Sequence, residues 1–144
     1  MEAKHPPNVE HIDEDMMKVE VNLDDTPGEW MGYVMDKLFA AGANDVIYSP
    51  IYMKKNRPGI LLELLCSREK LETMKGILLE ETTTLGIRYY PITVHRMERR
   101  FIRVETEWGP VTVKQGLKDG KVFQSSPEYE DCKKIAEANH IPLK

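Results

Sequence analysis

Two short apolar runs, NDVIYSPIYM at 44–53 and GILLELLC at 59–66, flank the segment KKNRP and constrain this chain more than any other feature. Both are short, β-branched-rich and bounded by turn residues, so they read as strands. Pro58-Gly59 suggests the corner that joins them into a hairpin. Three cations, Lys54, Lys55 and Arg57, crowd that corner.

The flanking sequence supplies the rest of a sheet. KVEVNLDD alternates Val19, Val21 and Leu23 with polar neighbours, the period of a strand with one buried face. In DDTPGEW, Thr26 suits a helix cap, Pro27 the first helical position and Glu29 the acid of a capping box, and the helix runs to Ala41 before Gly42 stops it. Ser67 is placed to cap a second helix, whose Leu71, Met74, Ile77 and Leu78 form one stripe. That helix gives way at ETTTLG, and IRYYPITVH follows as a strand with a bend or a sheet edge at Pro91.

The order βαββαβ is the split βαβ plan, an antiparallel sheet with two helices on one face. Beyond it, FIRVETEWGPVTVKQGLKDGKVFQSS divides into three strands at Trp108-Gly109-Pro110 and at the Asp119-Gly120 hairpin turn. SPEYEDCKKIAEANH closes the chain as a helix with Tyr129, Cys132, Ile135 and Ala136 on one side. The expected class is α+β: a flexible tail over 1–17, a ferredoxin-like βαββαβ lobe over 18–97 and a smaller βββα lobe over 98–144.

Composition narrows the function. Net charge is −4 with 31% of residues charged, which disfavours a general nucleic-acid binder. Positive density is local, at 54–57 and in HRMERRFIR, where four arginines face one glutamate. No apolar run approaches the roughly 20 residues that cross a bilayer, so no membrane partner is expected. Two distant cysteines make no disulfide framework, and a cytoplasmic setting is expected. The four histidines form no zinc spacing, and no phosphate loop or nucleophile elbow is present.

Four patches could carry chemistry. Lys54, Lys55 and Arg57 could grip one anion, Arg57 through two oxygens, or could simply solvate a hairpin tip. Thr82, Thr83 and Thr84 offer hydroxyls to phosphate oxygens, or are comfortable residues where helix passes to strand. Asp24 and Asp25 suit magnesium or manganese beside a nucleotide, or support the helix start. Glu128, Glu130 and Asp131 lie in a first helical turn beside Cys132, whose place on the apolar stripe argues against a role as ligand.

Taken in order, VNLDDTP, GYVMDKLFAAGA, PIYMKKNRPG, ETTTLGIRY, GPVTVK and PEYEDCKKIA resemble the C-terminal part of the LarC family over Lys18–Lys144. The resemblance implies insertion of nickel into pyridinium-3,5-bisthiocarboxylic acid mononucleotide, giving the nickel-pincer cofactor of lactate racemase. CTP is cleaved to CMP and pyrophosphate, with magnesium or manganese accompanying it. Lys54, Lys55 and Arg57 match the family's cationic motif and Thr82, Thr83 and Thr84 its threonine run. Both groups are thereby implied nucleotide contacts, with Asp24 and Asp25 the candidate metal ligands.

Full-length members carry a preceding N-terminal region, an implied partner for nickel handling, so this chain is expected to bind CTP with or without activity of its own. No residue is singled out as catalytic base. Exposed strand edges lead to the expectation of a symmetric homo-oligomer. The rival reading is a non-catalytic ferredoxin-like module for small-molecule sensing or oligomerisation. An RNA-binding module is disfavoured because RFIRVET and GILLELL lack the aromatic pattern such sheets use.

Overall fold

A computed structural model describes residues 9–144 of the chain. They form two compact units, one of Asp13–Val94 and one of His95–Lys144 with the described residues before Asp13. The elements run β1 (His11–Leu23), α1 (Gly28–Ala40), β2 (Asp45–Met53), β3 (Arg57–Ser67), α2 (Leu71–Glu81), β4 (Arg88–Arg96), β5 (Glu98–Thr106), β6 (Gly109–Lys118), β7 (Lys121–Pro127) and α3 (Tyr129–Asn139).

The first sheet has the order β2-β3-β1-β4, with β3 antiparallel to both β1 and β2. This is the ferredoxin-like plan that the element order predicted. Alternation along β1 and β3 puts Val19, Val21, Leu62, Leu64 and Cys66 on one face. There they meet Met31, Val34 and Leu38 of α1 and Met74, Ile77 and Leu78 of α2 in a continuous core. Burial raises the pKa of the Cys66 thiol, which leaves it an inert packing residue. Tyr48 on β2 donates its hydroxyl to the Met31 carbonyl at 2.6 Å, tying α1 to the sheet, and burial pushes its pKa up to about 12. Pro91 is accommodated because β4 is an edge strand.

Four local expectations need correction. β1 begins at His11, not Lys18. Its first five residues, HIDED, are mostly polar and none is fully buried, so no apolar–polar alternation in the sequence marks the strand there. The turn between β2 and β3 is Lys54–Asn56, not Pro58-Gly59. Met53 pairs with Arg57, and Pro58 and Gly59 already belong to β3. Pro27 is the N-cap of α1 rather than its first helical residue, and no capping box forms because the Thr26 hydroxyl is engaged with Thr83. Ser67 makes no cap; a single 3₁₀ turn at Arg68–Lys70 leads into α2 instead.

The second unit holds the β5-β6-β7 sheet. Asp119 and Gly120, with φ of 50° and 75°, make the expected two-residue turn. Helix α3 is anchored to β6 in two ways. Glu128 donates its backbone N–H to the Thr112 carbonyl at 2.8 Å, and Asp131 accepts the Thr112 N–H at 2.8 Å, extending the ladder past the end of β7.

That second bond holds the Asp131 carboxyl below its ordinary 3.8. A carboxylate with a lowered folded pKa contributes stability above its unfolded pKa and loses it as pH falls through the folded value. Urea unfolding should therefore show wild type losing stability relative to Asp131→Asn below pH 3.8, with a constant difference at higher pH. Parallel pH profiles would exclude this role.

Candidate functional site

The end of β1, the β2–β3 turn and the end of α2 meet in the first unit. In the turn, Lys55 and Asn56 have φ of 61° and 58°, so two residues in the left-handed region reverse the chain at the cationic segment. Lys54 and Lys55 are exposed there. Arg57 begins β3 and lies 3.5 Å from the Asp24 carboxylate.

Gly59 makes that approach possible. A Cβ at this position would stand 2.8 Å from both the Leu23 carbonyl oxygen and the Met53 sulfur, so only glycine lets the last residue of β1 come so close. Asp24 and Asp25 follow directly.

Thr83 holds the other side. Its hydroxyl donates to Asp25 Oδ1 at 2.5 Å, Thr26 Oγ1 donates to Thr83 Oγ1 at 2.6 Å, and the Thr83 N–H reaches Thr26 Oγ1 at 3.4 Å. The neighbouring hydroxyls are engaged by backbone carbonyls. Thr82 donates to the Leu78 carbonyl and Thr84 to the Gly86 carbonyl, at 2.6 and 2.7 Å. Each hydroxyl has one proton. Thr83 therefore positions Asp25, and the hydroxyl protons of the run go to protein acceptors.

The structure thus brings Asp24, Asp25, Arg57 and Thr83 together, with Thr82 and Thr84 flanking and Lys54 and Lys55 at the adjacent tip. Sequence reasoning missed two contributors. Arg88 donates to Asn22 Oδ1 at 2.8 Å and adds a fourth cation near the end of β1; it lies within the ETTTLGIRY phrase. A cleft of about 370 Å³ between Glu29, Trp30, Tyr33, Glu80 and Glu81 opens just before the threonines. Lys37 is fixed beside it by Glu81, a hydrogen bond that raises the lysine pKa.

Among the described residues no three His, Cys, Asp or Glu side chains could hold a metal ion. The donor set at Asp24 and Asp25 is two hard carboxylates. That suits a magnesium or manganese ion that takes its other ligands from water and phosphate, and does not amount to a protein cage. A larger cavity, about 440 Å³, lies in the second unit among Trp108, Val111, Cys132, Ile135 and Leu143. Its walls are mostly apolar, with Thr106 and Lys144 as the polar members of the lining.

Residues 5–144 match the family described as nickel insertion protein. The pyridinium-3,5-bisthiocarboxylic acid mononucleotide nickel insertion protein of Acetivibrio thermocellus is 48% identical over 93% of this chain, and that of Thermotoga petrophila 46% over 88%. The chain spans about a third of the length of these curated relatives, 33% and 32% respectively. Among solved structures, LarC2, described as the C-terminal domain of a cyclometallase involved in the synthesis of the NPN cofactor of lactate racemase, superposes with a TM-score of 0.86. It is 38% identical, over 94% of this chain and 91% of that one. Protein MK0293 of Methanopyrus kandleri superposes at 0.68 with 26% identity, over 92% and 83%.

Gly59→Ala should cost about 1–3 kcal/mol, because the backbone carbonyl of Leu23 must give way. Urea unfolding measures it, and a change below about 0.5 kcal/mol, the ordinary range for surface substitutions, would show that β1 does not depend on this contact.

Proposed function

The chain belongs to the nickel insertion protein family, and from that membership we propose that it is the CTP-binding C-terminal part of an enzyme that inserts nickel into pyridinium-3,5-bisthiocarboxylic acid mononucleotide. The observation that carries this reading is the convergence of three sequence-distant motifs on one surface, through Arg57–Asp24 and Asp25–Thr83.

In this reading Lys54, Lys55 and Arg57 receive the triphosphate. Arg57 can present two N–H groups to one phosphate, and the lysines act as mobile point charges. Asp24 and Asp25 would hold the magnesium or manganese ion that accompanies CTP. When bound, that ion supplies charge neutralisation between carboxylate and phosphate. Thr83 fixes the carboxylate of Asp25 at the required place. CTP leaves as CMP and pyrophosphate, and nickel is cargo whose sulfur and carbon donors come from the mononucleotide. Self-association through the exposed edges of β2 and β4 completes the reading, together with the family's N-terminal region and a cytoplasmic setting.

Calorimetry with CTP, ATP and GTP in the presence of Mn²⁺ tests it. Trp30, in the cleft beside the threonines, provides a fluorescence signal. CTP should bind selectively. The Lys54→Ala and Arg57→Ala substitutions should weaken it by roughly 1.5 to 3 kcal/mol per lost charged hydrogen bond without unfolding the chain. Equal indifference to all three nucleotides would favour a non-catalytic sensing or oligomerisation module.

A further inference from the structure

The cleft between Glu29, Trp30, Tyr33, Glu80 and Glu81 has a lining that core packing does not explain. Helix α1 buries Met31, Val34 and Leu38. Trp30 and Tyr33 lie off that stripe, three residues apart on one side of the helix, and stay 45% and 58% exposed. Two large rings left open along one cleft offer a surface to a flat ligand.

The rest of the lining is acidic, and its three carboxylates differ in what holds them. Glu29 lies in the first turn of α1, where the helix dipole favours an acid. Glu81 is bound by Lys37, whose ammonium also lies 5.8 Å from the centre of the Tyr33 ring. Glu80 has neither support. It sits in the last turn of α2, where the dipole disfavours an acid and no basic residue accompanies it. Among the described residues no hydrogen bond or ion pair holds its carboxylate, and it adds only a minor part to the rise in the Lys37 pKa that the Glu81 hydrogen bond chiefly causes.

Both walls run directly into the acidic and threonine motifs. Asp25 and Thr26 lead into α1 just before Glu29, Thr82 and Thr83 follow Glu81, and the Thr26–Thr83 hydrogen bond joins the two helix ends. A ligand held by its phosphates beside Asp25 can therefore extend its other end between the helices.

A carboxylate only accepts hydrogen bonds, so what enters must donate them. Cytosine carries an exocyclic amine. Uracil presents a carbonyl oxygen at that position and sets acceptor against acceptor, leaving the polar groups of the site without a complement. The cytosine carbonyl and ring nitrogen need donors in turn, and the Lys37 ammonium has protons beyond the one given to Glu81. At about 370 Å³ the cleft is of the size that takes a small molecule. A metal ion is a poorer occupant, because among the described residues no three His, Cys, Asp or Glu side chains could hold one.

We propose that this cleft receives the base of the nucleotide, with Trp30 stacked on the ring and Glu80 accepting the exocyclic amine, so that Glu80 sets the choice of cytosine over uracil. The identity of the nucleotide rests on the function proposed above; the preference for an amino-bearing pyrimidine rests on the cleft itself.

The test compares CTP with UTP, each with Mg²⁺, by calorimetry on wild type and on Glu80→Gln. In parallel, NMR follows the Trp30 indole N–H, assigned through Trp30→Phe, during titration with cytidine and with uridine. CTP should bind wild type about tenfold or more tightly than UTP. A glutamine can turn either an oxygen or an amide NH₂ toward the base, so Glu80→Gln should bring the ratio below about threefold by improving UTP binding. A glutamate with a merely structural role would yield no such gain. Cytidine should shift the Trp30 signal saturably at concentrations where uridine does not. The proposal is overturned if Glu80→Gln leaves the CTP-to-UTP ratio unchanged or if cytidine leaves the Trp30 signal unmoved. It is also overturned if tetramethylammonium moves that signal at lower concentration than cytidine, which would make the cleft a simple cation site. If neither nucleotide binds while cytidine still shifts Trp30, the triphosphate reading fails and the base cleft stands.

Discussion

The site depends on a contact between two stretches of backbone. The Leu23 carbonyl lies against Gly59, where any side chain would stand in its way. Strand β1 runs through the interior of its sheet, paired to β3 from Met16 to Leu23, so the place where it ends fixes the start of the acidic loop. The Arg57–Asp24 ion pair could not do this alone. Arg57 is 55% exposed, and an exposed pair contributes at most about 1 kcal/mol. Backbone packing sets the geometry, and the weak ion pair is left free to be exchanged.

The threonine run shows a related economy. Its hydroxyl protons go to Leu78, Asp25 and Gly86, so the loop is internally satisfied before any ligand arrives. A phosphate that recruits one of these hydroxyls exchanges one hydrogen bond for another, and the net gain is of the order of 0.5–1.5 kcal/mol. The larger gains belong to the cations, whose bonds to phosphate are charge-assisted. Thr83 also keeps Asp25 in place, a role compatible with the nucleotide contact that the resemblance implied.

The order of elements was legible because each carries its own period: alternation in β1, and steps of three and four residues through Met74, Ile77 and Leu78. Turn chemistry was less legible. Pro58-Gly59 looks like a corner, yet β3 has a paired neighbour on only one side at Pro58, and Gly59 is needed for close approach. The real turn uses Lys55 and Asn56 in a conformation that lysine seldom adopts. Thr26 was misread for a different reason. Its local pattern is that of a helix cap, but its hydroxyl is claimed by Thr83, 57 positions away. No local rule foresees such a contact, and it also joins the acidic and threonine motifs into one site.

The acidic character of the chain bears on what these sites can accept. A net charge of −4 gives no general attraction for polyanions, and screening limits any field to about 8 Å at physiological salt. Each cationic cluster must therefore work at contact range. At the hairpin it works beside Asp24 and Asp25, whose charges would repel a bare triphosphate. On the proposed reading, a divalent ion held by the carboxylates would offset that repulsion and would leave Arg57 available to the ligand. On that reading, three cations beside two carboxylates would favour a metal-bound nucleotide over a free one.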